Sequence, residues 1–173
     1  MRIVFLGTPE FALAPLEACL AFEGGEVAAV VTQPDRPVGR GHKLQMPPVK
    51  RLALERGLPV HQFERIRRQE GLDLLRALKP DLMVTAAFGQ ILSQKILDIP
   101  PLGVINVHAS LLPAYRGSAP IQWAIYHGEE RTGVSIMYTA RGVDTGDVIL
   151  RRELAIGPEE TGGELTCRLS RLG

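Results

Sequence analysis

The chain has 173 residues, 45% of them hydrophobic and 23% charged, and its formal net charge of +1 leaves the nature of any partner open. This composition excludes a disordered or fibrous chain, and the length suits one domain with a sizeable core. Its two cysteines, Cys19 and Cys167, form no CxxC spacing, so neither a zinc centre nor a disulfide framework is expected. No apolar run approaches the roughly 18 residues of a membrane span and no signal peptide is evident, so we expect a cytoplasmic protein.

Strands and helices are predicted to alternate from the start of the chain. The segment RIVFL predicts a buried strand that ends at Gly7, and Thr8 is a candidate N-cap for a helix that begins at Pro9. The segment EVAAVVT predicts a second strand, and a helix is expected to begin at Pro48. Between them, residues 33–46 (QPDRPVGRGHKLQM) are predicted to form a long irregular loop that is mobile.

The alternation continues with strands at PVHQF, PDLMVTAA and GVINVHA, and with helices at GLDLLRALK, LSQKIL and SAPIQWAIYHG. The segments TGVSIMYT and VILRRELAI then predict two adjacent, antiparallel strands, and Thr161 with Glu164 predicts a capping box for a last helix. Alternating strands and helices indicate a parallel sheet covered on both faces. The predicted fold class is therefore α/β, a Rossmann-like three-layer sandwich with a mostly parallel sheet.

Two polar side chains interrupt the apolar strand GVINVHA. Strand alternation places Asn106 and His108 on one face, and ligands of open parallel sheets bind beyond the carboxyl ends of the strands. An amide can stabilise a developing oxyanion and an imidazole can move a proton, as acyl transfer requires. Asn106 is also the one asparagine of the chain. The alternative is a polar pair satisfied by neighbouring backbone, and the pattern alone favours neither interpretation.

A candidate carboxylate partner lies in the glycine-containing turn VDTGDV. A carboxylate beside an imidazole orients it and stabilises its charged form, which makes Asp144 a candidate partner of His108. Turns also favour aspartate for local backbone hydrogen bonds, and the sequence does not establish that Asp144 reaches His108. Ser110 does not complete a hydrolase triad, because the GxSxG elbow is missing.

The loop around residues 33–46 is locally basic. From residue 32 to residue 51 there is a single acid, Asp35, against five basic residues: Arg36, Arg40, Lys43, Lys50 and Arg51. Such a segment is either a solvated surface or a flexible arm that contacts phosphates. Neither GTPEF nor VGRGHKL has the glycine spacing of a dinucleotide or ATP site.

The segment NVHASLLPAYRGSAP resembles the signature of the folate-dependent formyltransferases, and the downstream Asp144-Thr145-Gly146 resembles their second motif. Within that superfamily, FLGTPEFA and TQPDRPVGRGHKL resemble the methionyl-tRNA formyltransferase family. The resemblance covers essentially the whole chain. It implies 10-formyltetrahydrofolate as formyl donor, the α-amine of methionyl initiator tRNA as acceptor, and no metal.

The resemblance also implies roles for individual residues. Asn106 and His108 would stabilise a tetrahedral oxyanion, and Asp144 would orient and support His108. The folate would bind against two segments, whose residues are Phe88, Gly89, Gln90, Ile91 and Leu92 in the first and Ser110, Leu111, Leu112 and Pro113 in the second. The loop residues Arg40 and Lys43 would contact the acceptor end of the tRNA.

Members of this family carry a second, C-terminal barrel domain that helps hold tRNA. We therefore expect residues 1–173 to form the catalytic domain, with that second domain absent from this chain. Two other hypotheses remain. A related enzyme could formylate a sugar amine or hydrolyse formylfolate, and it would not need the basic loop. A non-catalytic RNA- or nucleotide-binding module would bind RNA in a salt-sensitive way without a folate site.

Overall fold

The computed structural model describes residues 1–39 and 43–173. Nine strands lie in this part of the chain: β1 (Arg2–Gly7), β2 (Glu26–Thr32), β3 (Arg36–Val38), β4 (Lys43–Gln45), β5 (Val60–Gln62), β6 (Leu82–Ala86), β7 (Val104–His108), β8 (Arg131–Tyr138) and β9 (Val148–Ala155). Six α-helices accompany them: α1 (Leu13–Ala21), α2 (Pro48–Glu55), α3 (Gln69–Leu78), α4 (Gln94–Leu97), α5 (Pro120–Tyr126) and α6 (Gly162–Leu172).

Seven of the strands form one sheet in the order β5-β2-β1-β6-β7-β8-β9. The first five of these are parallel to one another, and β8 and β9 pair antiparallel at one edge. The predicted parallel sheet and the predicted antiparallel pairing of the last two strands are both confirmed. Crossovers through helices explain the parallel part, because two parallel neighbours cannot be joined by a tight turn.

Helices cover both faces of the sheet, as predicted. Strand β1 is buried on both sides, so its alternate residues enter different cores: Phe5 packs with the first core and Leu6 with the second. Helices α1, α2, α5 and α6 contribute buried residues to the first core, and α3 and α4 contribute to the second. Within the described residues, no helix combines the length and the apolar character that crossing a bilayer requires.

Two local predictions are wrong. Thr8 caps no helix: a 3-10 turn at Glu10–Ala12 precedes α1, and the Thr8 hydroxyl instead donates to the Phe88 carbonyl oxygen at 3.2 Å. The loop at residues 33–46 is not wholly irregular, because β3 and β4 pair antiparallel, with Arg36 opposite Gln45. For Thr8, a partner 80 residues away decides the structure. In the hairpin, two short segments pair with each other although their proline and glycine content predicts a loop.

The parallel strands end side by side at one edge of the sheet. Gly7 at the end of β1 is in register with Ala86 of β6, and Ala86 is in register with Val107 of β7. A β-carbon on Gly7 would lie 2.7 Å from the Phe5 ring, so the turn after β1 needs glycine to pack closely. The chain segments that leave these three strands therefore meet at this carboxyl edge, where ligands bind in open parallel sheets.

Candidate active site

Asn106 and His108 lie on one face of β7. Val107 between them packs into the first core, so alternation turns both polar side chains to the opposite face. Asn106 is in register with Thr85 of β6, and His108 is in register with Ser135 of β8. The sheet thus holds the amide and the imidazole next to each other at its carboxyl edge.

The amide of Asn106 is held at one end and free at the other. Its Oδ1 accepts a hydrogen bond from the Thr85 hydroxyl at 2.8 Å. Within residues 1–39 and 43–173, no protein atom accepts a hydrogen bond from its Nδ2. The NH2 group is therefore a donor ready for a ligand oxygen.

His108 is buried, with 6% of its surface exposed, and acceptors face both of its ring nitrogens. Its Nδ1 lies 3.5 Å from Asp144 Oδ2, and its Nε2 lies 2.9 Å from the backbone oxygen of Tyr115. A neutral imidazole has one N–H, so only a ring that carries both protons can donate in both directions. The two acceptors fix the orientation of the imidazole ring.

Asp144 joins two loops as well as facing His108. Its Oδ2 accepts a hydrogen bond from the backbone N–H of Gly117 at 2.8 Å. Gly117 has a φ of +88°, a conformation that favours glycine, and Asp144 itself lies in the left-handed region at φ 47°. The structure thus brings Asn106, His108 and Asp144 together, including the contact that the sequence left open.

The first predicted folate-binding segment follows β6. Phe88 is 4% exposed, and its carbonyl oxygen accepts hydrogen bonds from the Thr8 hydroxyl at 3.2 Å and from Gln33 Nε2 at 3.1 Å. Gly89 has a φ of +77°, and a β-carbon there would lie 2.3 Å from Gln33 Nε2. The turn is therefore built around a glycine that packs closely against the end of β2.

The rest of this segment is fixed by the Gln90 side chain. Its Oε1 accepts from the Ile66 N–H at 2.7 Å, and its Nε2 donates to the Phe63 carbonyl oxygen at 2.6 Å. Ile91 is 70% exposed, whereas Leu92 packs against the second core. Among the described residues, the main chain of residues 89–92 makes no backbone–backbone hydrogen bond. Its polar groups are available to a ligand.

The second predicted segment, Ser110 to Pro113, leaves β7 on the same edge. The Ser135 hydroxyl donates to the Ser110 carbonyl oxygen at 2.7 Å and accepts from the Leu112 N–H at 3.0 Å. The Ser110 hydroxyl is occupied by a carbonyl oxygen of its own loop at 2.6 Å, and Pro113 follows a cis peptide bond. Leu111 is half-buried over β8. This segment is therefore fixed by β8.

Of the two predicted tRNA contacts, the structure describes one, in the hairpin of β3 and β4. Arg40 lies outside the described residues, and Lys43 is exposed at the first position of β4. Below the hairpin, Asp35 accepts from Lys50 Nζ at 2.8 Å and from Gln62 Nε2 at 2.9 Å. These hydrogen bonds, Lys50 first, hold the pKa of the Asp35 carboxyl below its usual value. The hairpin is thus anchored on one side of its base.

Reasoning from the sequence missed three groups at this site. Thr85 contacts Asn106, Tyr115 offers a carbonyl oxygen to His108, and Gly117 offers an N–H to Asp144. A signal existed for Thr85, since it is a polar residue within the apolar strand LMVTA. The other two act through backbone atoms, and residue type does not show which partner a backbone atom will contact.

The surface also has concavities away from the site. A cavity of about 540 Å³ is lined by Arg76, Lys79 and Lys95, and another of about 670 Å³ by Leu102 and Tyr138. Both lie towards the amino ends of β6 and β7, and neither contains a predicted site residue. Within the part of the chain that the structure describes, no group of three or more His, Cys, Asp or Glu could hold a metal ion.

The sequence matches a family model described as formyl transferase over residues 1–173. It is 56% identical over 173 residues to a methionyl-tRNA formyltransferase of Acetivibrio thermocellus and 57% identical to that of Syntrophus aciditrophicus. In both cases the match covers 100% of this chain and 55% of the relative, so the chain spans about half the length of these curated relatives.

Solved structures share the fold. A phosphoribosylglycinamide formyltransferase from Bacillus halodurans superposes with a TM-score of 0.79 at 23% identity, covering 98% of this chain and 87% of that one. A glycinamide ribonucleotide transformylase from Symbiobacterium toebii gives a TM-score of 0.78 at 25% identity, covering 98% and 80%. The α/β fold predicted from the sequence is that of these enzymes.

Proposed function

The chain belongs to the formyl transferase family, and we propose that it transfers a formyl group from 10-formyltetrahydrofolate to the α-amine of methionyl initiator tRNA. The observation that carries this proposal is the meeting of Asn106, His108 and Asp144 at the carboxyl edge of the sheet. Identity of 54–57% to relatives named methionyl-tRNA formyltransferase supports the choice of acceptor. We propose that residues 1–173 form the catalytic domain.

The first step forms a carbon–nitrogen bond. The lone pair of the amine attacks the formyl carbon, and the π electrons of the formyl group move to its oxygen to give a tetrahedral oxyanion. Asn106 Nδ2, for which no acceptor exists among the described residues, would donate to that oxygen. Fixed donors aimed at developing charge are among the largest contributions to catalysis.

The second step releases the folate. The oxyanion re-forms the carbonyl, the bond between the formyl carbon and the folate nitrogen breaks, and that nitrogen takes a proton while the amine loses one. His108 would transfer the proton as a general acid and base, and Asp144 at 3.5 Å would orient its ring. To reach the substrate, His108 Nε2 would exchange the Tyr115 carbonyl oxygen for the formyl oxygen.

Binding would use the two segments beside this triad. The unpaired main chain of residues 89–92 and the segment from Ser110 to Pro113 would hold the folate. Lys43 of β4 and Arg40, which lies outside the described residues, would contact phosphates at the acceptor end of the tRNA.

The proposal is tested by offering several acceptors to the chain. Purified protein is incubated with radiolabelled 10-formyltetrahydrofolate and with methionyl initiator tRNA, glycinamide ribonucleotide or buffer alone, and formyl transfer is counted. We expect label on methionyl-tRNA at a rate well above that on the nucleotide or of release to water. Equal use of a small amine or water would contradict the tRNA acceptor.

Calorimetric titration of a stable formyltetrahydrofolate analogue tests the donor separately. We expect saturable one-to-one binding to the folded chain. If the chain binds RNA in a salt-sensitive way but binds no folate analogue, the formyltransferase proposal is wrong and the chain is an RNA-binding module.

A further inference from the structure

We propose that Thr85 is a positioning residue, which holds the Asn106 amide so that its NH2 group faces the substrate. The inference rests on the proposed function, because it gives a purpose to the orientation of that amide. Thr85 and Asn106 are in register on the neighbouring parallel strands β6 and β7. Their side chains share the face on which His108 also lies.

The hydrogen bond has a defined direction. The Thr85 hydroxyl has one proton, and Asn106 Oδ1 at 2.8 Å is closer than the Ile105 carbonyl oxygen at 3.2 Å. Thr85 is 6% exposed, so water does not compete freely for that proton. The hydroxyl therefore donates to the oxygen end of the amide.

The orientation matters because the two ends of an amide have opposite polarity. If Asn106 were turned by 180°, its oxygen would face the developing oxyanion and repel it. Thr85 marks one end of the amide as an acceptor, so the NH2 end faces the open side of the site. Threonine suits this task because its branched Cβ restricts the side chain to few rotamers in a strand. The donor is thus aligned before the substrate arrives.

Spectroscopy can test this positioning without any enzymatic turnover. Asn106 is the one asparagine of the chain, so labelling with 15N,13C-asparagine gives a single side-chain amide signal set. In Thr85→Val, which is nearly isosteric, we expect the Asn106 13Cγ resonance to move upfield and its NH2 group to become more mobile. Thr85→Ser keeps the hydroxyl and should preserve both properties.

A matched control comes from the same sheet. Thr132 is 3% exposed near the start of β8, whereas Asn106 is in register with Met137 near the end of that strand. Thr132→Val makes the same chemical change in a buried strand and should leave the Asn106 signals unmoved. An unchanged 13Cγ shift in Thr85→Val would overturn the inference, whatever the activity of the chain.

Kinetics tests the functional consequence. We expect Thr85→Val to lower the kcat of formyl transfer about fivefold, as the loss of one hydrogen bond would, with KM unchanged and with recovery in Thr85→Ser. In an Asn106→Ala background, Thr85→Val should have no further effect, since the group it positions is gone. Full additivity of the two losses would overturn the inference.

The failure of each idea has its own signature. If Asn106→Ala leaves the rate unchanged, the proposed role of Asn106 fails. If Asn106→Ala is slow but Thr85→Val behaves like Thr132→Val in both assays, the positioning role of Thr85 fails and the proposed function stands.

Discussion

Two regions with predicted functional roles are built in opposite ways. At the end of β7, His108 is 6% exposed, and hydrogen bonds from β6 and β8 fix the surrounding groups. The hairpin of β3 and β4 forms a separate two-stranded sheet, with Leu44 73% exposed and all three residues of β4 exposed. Asp35, the residue before the hairpin, is anchored through Lys50 and Gln62. Arg36 of β3 forms an exposed pair with Glu64.

This difference reflects the physics of the two tasks. Stabilising an oxyanion requires donors held within fractions of an ångström, and neighbouring strands provide that precision. Attraction between lysine or arginine and phosphate acts over a Debye length of about 10 Å at 0.1 M salt, so an exposed arm suffices. Changes at the strand end should therefore alter the rate of reaction, and changes in the hairpin should alter tRNA affinity.

The largest effect is expected for Asn106→Ala. Loss of an oxyanion donor typically lowers the rate about 100- to 1,000-fold, and we expect a kcat reduction of that order with little change in KM. Gln94→Ala is the control, because it removes an exposed side-chain amide that donates to Asp98 at the end of α4. Normal turnover of Asn106→Ala in a single-turnover assay would break the assignment of the strand end to catalysis.

A smaller effect is expected for Gly89→Ala, measured as the affinity of a folate analogue by calorimetry. A β-carbon would lie 2.3 Å from Gln33 Nε2, and the φ of +77° is strained for alanine by about 1–2 kcal/mol. We expect about tenfold weaker binding, since the donor would have to restore the native turn. Gly57→Ala has the same kind of strain at φ +69° with nothing within 4 Å, and it should bind the analogue normally.

A few-fold effect on tRNA alone is expected for Asp35→Asn. The change weakens the hydrogen bonds from Lys50 at the base of the hairpin, and we expect KM for tRNA to rise about threefold with kcat unchanged. Glu64→Gln is the control, because it removes the carboxylate of an exposed pair with Arg36, of a kind that contributes little. A fall in kcat for Asp35→Asn would show that the two regions are not independent.

The Asp35→Asn variant also tests how the stability of the chain depends on pH. The Lys50 and Gln62 hydrogen bonds lower the pKa of Asp35 in the folded chain below its unfolded value of about 3.9. The ionised Asp35 therefore stabilises the folded chain fully at any pH above its unfolded pKa. This stabilisation is lost as the pH falls through the lower pKa of the folded chain. Denaturant midpoints of the parent chain and Asp35→Asn should differ at pH 7 and converge in acid. A difference between the two midpoints that stays the same from pH 7 into acid would contradict a stabilising ion pair of Asp35 and Lys50.

The smallest effect is expected for Lys43→Ala. Removing one phosphate contact should reduce the slope of log affinity against log salt by about one unit and weaken tRNA binding a few-fold. Lys95→Ala is the control, since Lys95 lines the cavity towards the amino ends of the strands. An unchanged salt slope in Lys43→Ala would remove the hairpin from the tRNA interface.

The sequence by itself determined the strands of the main sheet and the faces that their side chains occupy. Apolar alternation predicted β7 with Asn106 and His108 on one face, and the spacing of Thr161 and Glu164 predicted a capping box that is present. These features depend on residues a few positions apart, whose relative directions follow from the 2.0 and 3.6 periods of strands and helices. Local geometry therefore suffices to predict them.

The tertiary structure decided which distant groups meet. Thr8 could have capped a helix but donates to Phe88, and Asp144 could have served only its own turn but reaches His108. Thr85 contacts Asn106 because β6 and β7 are neighbours in one register. A polar side chain with two possible partners contacts the one that the packing of the sheet brings within about 3.5 Å. That choice depends on the whole sheet and has no signature in the local sequence.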